Sequence, residues 1–269
     1  MRSRIFLLAA LAIAACNADT FVGDDAGGSD TGSDVPPVGG DGGGAKDGAL
    51  SDAKVEAAPP PRFCETIDAS FCADFDIPGD AGAGFSATQT NGWTYEFETD
   101  KSVSQPTGVR VDVPGDAGGA AILDAHISAI ANTAITLDLD VLLPAGALPT
   151  TQPLFAFQFG TVNSASFLFG LGHENGWRLE RANASPSALL SPQPPEGAWT
   201  HMQMVISLSG TAGTVTLFVD QTPSATLGGI PTAPATTGPF PADLHVGASL
   251  FGTVPTTNST FFYDNAVIR

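Results

Sequence analysis

The chain has 269 residues, 28 acidic against 10 basic, and a formal net charge of -18. A surface that acidic repels nucleic acid and anionic lipid headgroups, which excludes a nucleic-acid partner and a charge-driven membrane contact. Gly (31) and Pro (21) are abundant and charged residues make up only 14%, a balance found in turn-rich sheets and in flexible linkers.

The chain opens with a short basic stretch, Met1 to Arg4, and an apolar run from Ile5 to Ala15. A membrane-spanning helix needs about 20 apolar residues, so this run fits a signal peptide instead. It ends in Ile13-Ala14-Ala15-Cys16, which resembles the lipobox of bacterial lipoproteins. The resemblance implies a signal peptide over 1–15, cleavage before Cys16, and lipid on the Cys16 thiol. It also implies a cell-envelope location, with the membrane as partner through the lipid anchor. Several acyl chains give stable anchoring where one is marginal. Asn17 follows the cysteine in place of Asp, which favours the outer membrane over the inner.

Residues 16–62 are rich in Gly, Asp and Pro, from Gly27-Gly28 through Gly42-Gly43-Gly44 to Pro59-Pro60-Pro61. There is too little apolar surface to offset the entropy of ordering, so the segment reads as a lipidated, disordered tether. Beyond it, Cys64 and Cys72 stand eight residues apart in what the signal makes an exported domain. An oxidising compartment predicts a disulfide between them. A zinc site is disfavoured, because no second cysteine pair or histidine cluster accompanies them.

From residue 63 the hydrophobic period becomes two. Leu137, Leu139 and Val141 fall on one face of a strand, with Thr136, Asp138 and Asp140 on the other. Similar runs are predicted at Trp93–Thr99, Gly108–Val113, Ala120–Ile127, Leu154–Gly160, Ser166–Gly172, Trp177–Arg181, Trp199–Leu208, Thr214–Asp220, Leu244–Leu250 and Thr260–Ile268. Turn residues separate most of them, and no helical stripe follows the signal. The expected fold is all-β: an antiparallel two-sheet sandwich over 63–269.

Four segments carry a family resemblance. Gly197-Ala-Trp199-Thr-His-Met202-Gln-Met204, Val215-Thr-Leu217-Phe-Val219-Asp220, Leu244-His-Val246-Gly247 and Phe262-Tyr263-Asp264-Asn265 are similar, in this order, to strands of concanavalin A-like and laminin G-like domains. Phe71-Cys72-Ala-Asp74-Phe75-Asp76 resembles the opening strand of such domains. The resemblance implies a jelly roll whose terminal strands lie side by side.

Two ligand sites are expected. Asp74 and Asp76 near the start and Asp264 near the end would meet if the terminal strands are neighbours. Related jelly rolls hold a structural calcium there, which suits hard carboxylate oxygens. The competing expectation is that these aspartates bond backbone amides. His173-Glu174-Asn175-Gly-Trp177-Arg178 gathers an indole, an amide and charges around a turn, a set able to stack and hydrogen-bond a sugar. The competing expectation is a core indole beside an Asn-Gly hairpin.

No catalytic set stands out. Asp138 and Asp140 share a strand face, but laminarinase-type glycosidases of this fold use Glu-x-Asp-x-x-Glu, and both glutamates are absent here. Polysaccharide lyases need a base and cations, and the domain has only Lys101, Arg110, Arg178, Arg181 and Arg269 with four scattered histidines. The leading expectation is therefore a non-enzymatic, lipid-anchored surface module that binds a glycan or a protein. The alternatives are a glycoside hydrolase or polysaccharide lyase of the same fold, and a structural envelope lipoprotein.

Overall fold

The computed structural model describes residues 63–76, 85–116, 118–130, 133–145, 154–161, 168–181, 184–234, 239–250 and 257–269. Cys16, the signal segment and the tether lie outside these residues. Among the described residues a 3-10 turn, Phe63–Thr66, precedes fifteen strands. These are β1 (Phe71–Ala73), β2 (Phe85–Gln89), β3 (Thr94–Glu98), β4 (Gly108–Val113), β5 (Ala120–Ile130), β6 (Ala134–Leu142), β7 (Leu154–Thr161) and β8 (Leu168–His173). They continue with β9 (Trp177–Arg181), β10 (Ala184–Leu189), β11 (Trp199–Ser207), β12 (Gly213–Val219), β13 (Thr222–Ile230), β14 (Phe240–Leu250) and β15 (Ser259–Ile268).

The strands form two antiparallel sheets packed as a jelly-roll sandwich. One has eight strands in the order β13-β12-β11-β6-β15-β4-β3, with β1 also alongside β15. The other has seven, in the order β10-β9-β8-β7-β14-β5-β2. The alternation read in the sequence decides which face is inside. In β6, Leu137, Leu139 and Val141 are buried in the core, and across from them in β11 so are Met202, Met204 and Ile206. The first and last described strands lie side by side as the resemblance implies, with Phe71 opposite Ile268 and Ala73 opposite Ala266.

An aromatic seam joins the two sheets. Trp177 of β9 sits edge-on to Phe261 of β15 with ring centroids 6.4 Å apart, and Phe261 stacks on Tyr263 at 6.4 Å. Tyr263 is wholly buried, and that burial pushes its phenol well above the usual range.

Three strands escape the sequence pattern: β2, β10 and β13. Each is the last strand of its sheet. An end strand has one paired edge and little core to cover, so it needs no run of apolar residues. Pro186 in β10 and Pro223 in β13 would cost a ladder hydrogen bond in a central strand, and an end strand tolerates them.

Cys64 and Cys72 form the expected disulfide, with Cα atoms 5.6 Å apart. It ties the 3-10 turn to β1, and hence to the C-terminal strand. Closing so short a loop stabilises by about 2–3 kcal/mol in the chain-entropy model. A Cys64→Ser, Cys72→Ser protein should be less stable by that margin and show a lower unfolding midpoint in calorimetry. An unchanged midpoint would show that the first strand holds without its clasp.

Candidate active site on the seven-stranded sheet

The seven-stranded sheet turns Leu123, Ala125, Leu244, Val246, Phe157, Phe159, Phe169, Leu171 and Leu179 into the core. Period-two geometry then sends their neighbours to the outer face. The strand register sets six of these in one row across six strands: Ser86, Asp124, His245, Gln158, Gly170 and Glu180. The row continues to Ser187 of β10. Adjacent members stand about 4.8 Å apart, the spacing of paired strands.

Two Asp–His pairs dominate one end. His245 Nδ1 hydrogen-bonds Asp124 Oδ1 across β14 and β5. One step along the same strands, His126 Nδ1 lies 2.9 Å from Asp243 Oδ1. The pairs alternate, so each histidine faces an aspartate directly opposite. A carboxylate on Nδ1 fixes that nitrogen as the N–H and leaves the Nε2 lone pair as the basic atom. His126 is 59% exposed at its side chain and His245 is 26% exposed. His245 is thus the more sheltered of two imidazoles oriented in the same way.

The middle of the row is shaped by glycine. A Cβ at Gly170 would overlap the Phe157 carbonyl and stand 2.9 Å from Gln158 Cγ. A Cβ at Gly172 would stand 2.8 Å from Glu180 Cγ. The two glycines of β8 therefore let Gln158 and Glu180 lie flat across the strand. Both side chains point away from the core yet are shielded from solvent. Glu180 Oε1 makes no hydrogen bond, and its nearest charge is Arg178 Nε at 3.4 Å. Burial raises the Glu180 carboxyl above its ordinary range, with Arg178 working against that shift and Glu174 adding to it.

The structure corrects the expected sugar platform. Trp177 is only 2% exposed and packs in the core, so its faces cannot stack on a ligand. His173 lies inside with it, ring centroids 4.9 Å apart, and burial lowers its pKa against the opposing effect of Glu196. Asn175 (φ 54) and Gly176 (φ 113) form the turn between β8 and β9, closed by Glu174 N–H donating to Gly176 O at 3.2 Å. Glu174, Asn175 and Gly176 thus serve the hairpin. Within that set Arg178 alone joins the polar row's face, where it donates to Ser187 Oγ.

The expected calcium trio is also not gathered. Asp264, in the bulge of β15, accepts from Val103 N–H at 2.7 Å, Ser104 N–H at 2.8 Å, Ser104 Oγ and Asn265 N–H. Asp74 accepts from Cys64 N–H and Asp76 N–H, and Asp76 accepts from Thr107 N–H. Backbone amides thus bond at least one oxygen of each of the three carboxylates. Among the described residues no three His, Cys, Asp or Glu side chains gather closely enough to hold a metal.

Asp138 and Asp140 sit on the outer face of the eight-stranded sheet, but not as freely solvated groups. His201 bridges them, with Nε2 3.3 Å from Asp138 and Nδ1 2.9 Å from Asp140. Gln203 and Arg269 donate to Asp138, and Asn265 donates to Asp140. Burial works to raise Asp138, but His201, Gln203 and Arg269 together hold it below its usual range. Hydrogen bonds to Asp138 and then Asp140 push His201 up to about 10, against burial. A histidine raised in the folded state stabilises fully below its ordinary value of 6.5 and loses that contribution as pH climbs through about 10. Solvent reaches 39% of the His201 side chain, which holds the contribution to about 1 kcal/mol. The stability gap between wild type and His201→Gln should therefore narrow in melts from neutral pH to pH 10. A constant gap would contradict the bridge.

The chain matches no protein-family model and no curated protein sequence. Its fold is similar to solved polysaccharide-active proteins at low identity. An endo-beta-1,4-glucuronan lyase from the fungus Trichoderma reesei aligns with TM-score 0.53 and 12% identity, over 75% of this chain and 95% of that one. The alginate lyase vAL-1 from Chlorella virus aligns with TM-score 0.54 and 10% identity, over 75% of this chain and 99% of that one. A glycosyl hydrolase family protein from Mycobacterium fortuitum aligns with TM-score 0.50 and 10% identity, over 76% and 100%. These likenesses show the fold alone, a jelly-roll β-sandwich.

The site residues were not legible one by one. Asp124 and His245 each occupy the polar position of an alternating strand, a signal shared by any solvated face. Their pairing spans 121 positions of sequence, and only the β5–β14 register brings them together.

Proposed function

We propose that the chain is a polysaccharide-cleaving enzyme that works by β-elimination at a uronate unit, with His245 as the base. The observation that carries this is the Asp124–His245 pair at one end of the polar row. The enzyme alternative thus has more support than a purely binding module, since the outer sheet face carries an oriented base on a fold shared with lyases.

The chemistry follows from the site. A uronate carboxylate acidifies the proton on C5. His245 Nε2 takes that proton, the C–H electrons form a C4=C5 double bond, and the C4–O4 bond breaks to release the leaving sugar. The departing oxygen takes a proton from solvent or a neighbouring acid. Asp124 holds the imidazole and stabilises its cationic form after transfer. Hydrolysis by two carboxylates fits less well. On this face Asp124 and Asp243 lie on neighbouring strands, and each is held by a histidine. Glu180 stands three strands from His245, about 14 Å along the sheet. The acidic chain disfavours a polyanion at long range, but salt confines that repulsion to about 8 Å under physiological conditions.

The test is to incubate the full chain with glucuronan, alginate and a neutral glucan and to follow ultraviolet absorbance of the unsaturated product. Absorbance rising with a uronan and not with the glucan supports the reading. Tight binding of all three without product would return the chain to the class of binding modules. From the lipobox resemblance we further propose that Cys16 anchors the enzyme to the outer membrane. Cys16→Ala should move it from the membrane fraction to the soluble one, and unchanged membrane association would contradict the anchor.

A further inference from the structure

The second Asp–His pair lies beside the first, and elimination at His245 leaves it a task. His126 and His245 share the outer face of the seven-stranded sheet, on β5 and β14. His245 stands opposite Asp124, two residues from His126 along β5. The two histidines are therefore diagonal cross-strand neighbours, about 7–8 Å apart at Cα. Asp243 Oδ1 holds His126 Nδ1 at 2.9 Å. His126 Nε2 meets no partner among the described residues, and the side chain is 59% exposed. That nitrogen is open to a ligand lying on the face.

β-Elimination needs two proton transfers. One removes the C5 proton. The other gives a proton to O4 as the C4–O4 bond breaks, because a bare sugar alkoxide is a poor leaving group. Few groups near His245 can make the second transfer. Both tyrosines of the chain belong to the other sheet: Tyr95 lies in β3, and Tyr263 in β15 is wholly buried. The Asp124 and Asp243 carboxylates are each turned to a histidine. Glu180 stands three strands from His245.

We propose that His126 is the catalytic acid of the elimination: its imidazolium, oriented by Asp243, gives the Nε2 proton to O4 of the leaving sugar while His245 Nε2 takes the proton from C5. This rests on the lyase reading and deepens it. The C5–H electrons form the C4=C5 double bond, and the C4–O4 electron pair leaves with the proton from His126. Water then returns a proton to His126 and removes one from His245. The diagonal spacing suits the task. One C5–C4–O4 unit, contacted at each end at about 3 Å, fills a gap of that order. Asp243 does for the acid what Asp124 does for the base. It fixes Nδ1 as a donor and supports the positive ring.

The experiment varies the leaving group. Wild type, His126→Gln, Asp243→Asn and His245→Ala are compared on a uronate oligosaccharide that the wild type cleaves, and on the same uronate carrying 4-nitrophenoxide at C4. Nitrophenoxide departs without a proton, so an acid matters only when the leaving group is a sugar. His126→Gln should lower kcat about tenfold on the oligosaccharide, less than the loss of a shielded acid, because water reaches the open position and replaces it in part. On the nitrophenoxide substrate its kcat should match wild type. Asp243→Asn should show the same selectivity more weakly, and His245→Ala should lose both activities. A merely structural role for His126 would cost both substrates alike. That result, or no loss on either, would overturn the assignment and leave the lyase reading in place. A wild type that forms no unsaturated product from glucuronan or alginate would end the lyase reading and this assignment with it.

Discussion

His245→Ala should abolish uronan cleavage while leaving the fold intact, with kcat lower by about 10²–10⁴-fold. The size of the effect follows from what the imidazole does. It is the sheltered member of two Asp-oriented histidines, and its Nε2 is the basic atom that the Asp124 contact leaves available. Nothing else in the row can replace it. Gln158 does not titrate, and Glu180 lies three strands away. Stability should change little, because both partners are partly open to water: 26% for His245 and 28% for Asp124. Asp124→Asn should also be severely impaired, since an amide no longer enforces the correct tautomer or supports the imidazolium. His126→Ala, at the exposed pair, should have a much smaller effect. Equal losses at His126 and His245 would mean that the two pairs act together rather than one as base.

The second large effect concerns the opposite sheet. Asp264→Ala should destabilise the protein by about 3–5 kcal/mol, as judged by denaturant unfolding. Its carboxylate satisfies Val103 N–H, Ser104 N–H, Ser104 Oγ and Asn265 N–H, and each buried donor left without a partner costs about 1–3 kcal/mol. The same residue carries a pH signature. Burial pushes Asp264 up to about 7, although the hydrogen bonds from Ser104, Val103 and Asn265 favour its charge. A carboxyl raised in the folded state contributes most below its ordinary value of 3.8, and that contribution disappears as pH rises through about 7. This is opposite in sign to the usual paired aspartate. Asp264→Asn should flatten the stability profile across that window, and a profile as steep as wild type would contradict the assignment.

These two residues mark where sequence reasoning worked and where it stopped. The sandwich was legible because core strands such as β6 and β11 alternate strictly, and alternation has one physical meaning in a sheet with one buried face. Asp264 was legible as a special position, since a carboxylate in the closing strand demands a partner. Whether that partner is a cation or an amide is decided by the loop ending at Thr107, which the sequence does not place. Trp177 shows the same limit. The Asn-Gly turn was plain, but which side of β9 faces the core depends on Leu179 packing under the other sheet. The polar row was hidden for a third reason. Asp124, Gln158, Glu180 and His245 come from four strands whose order along the sheet is not their order along the chain.

Cleavage in heavy-oxygen water, followed by mass spectrometry of the products, tests the central claim most directly. β-Elimination breaks the C4–O4 bond without adding water, so the account predicts an unsaturated product with no solvent oxygen incorporated. A saturated product carrying one solvent oxygen would show hydrolysis and contradict it.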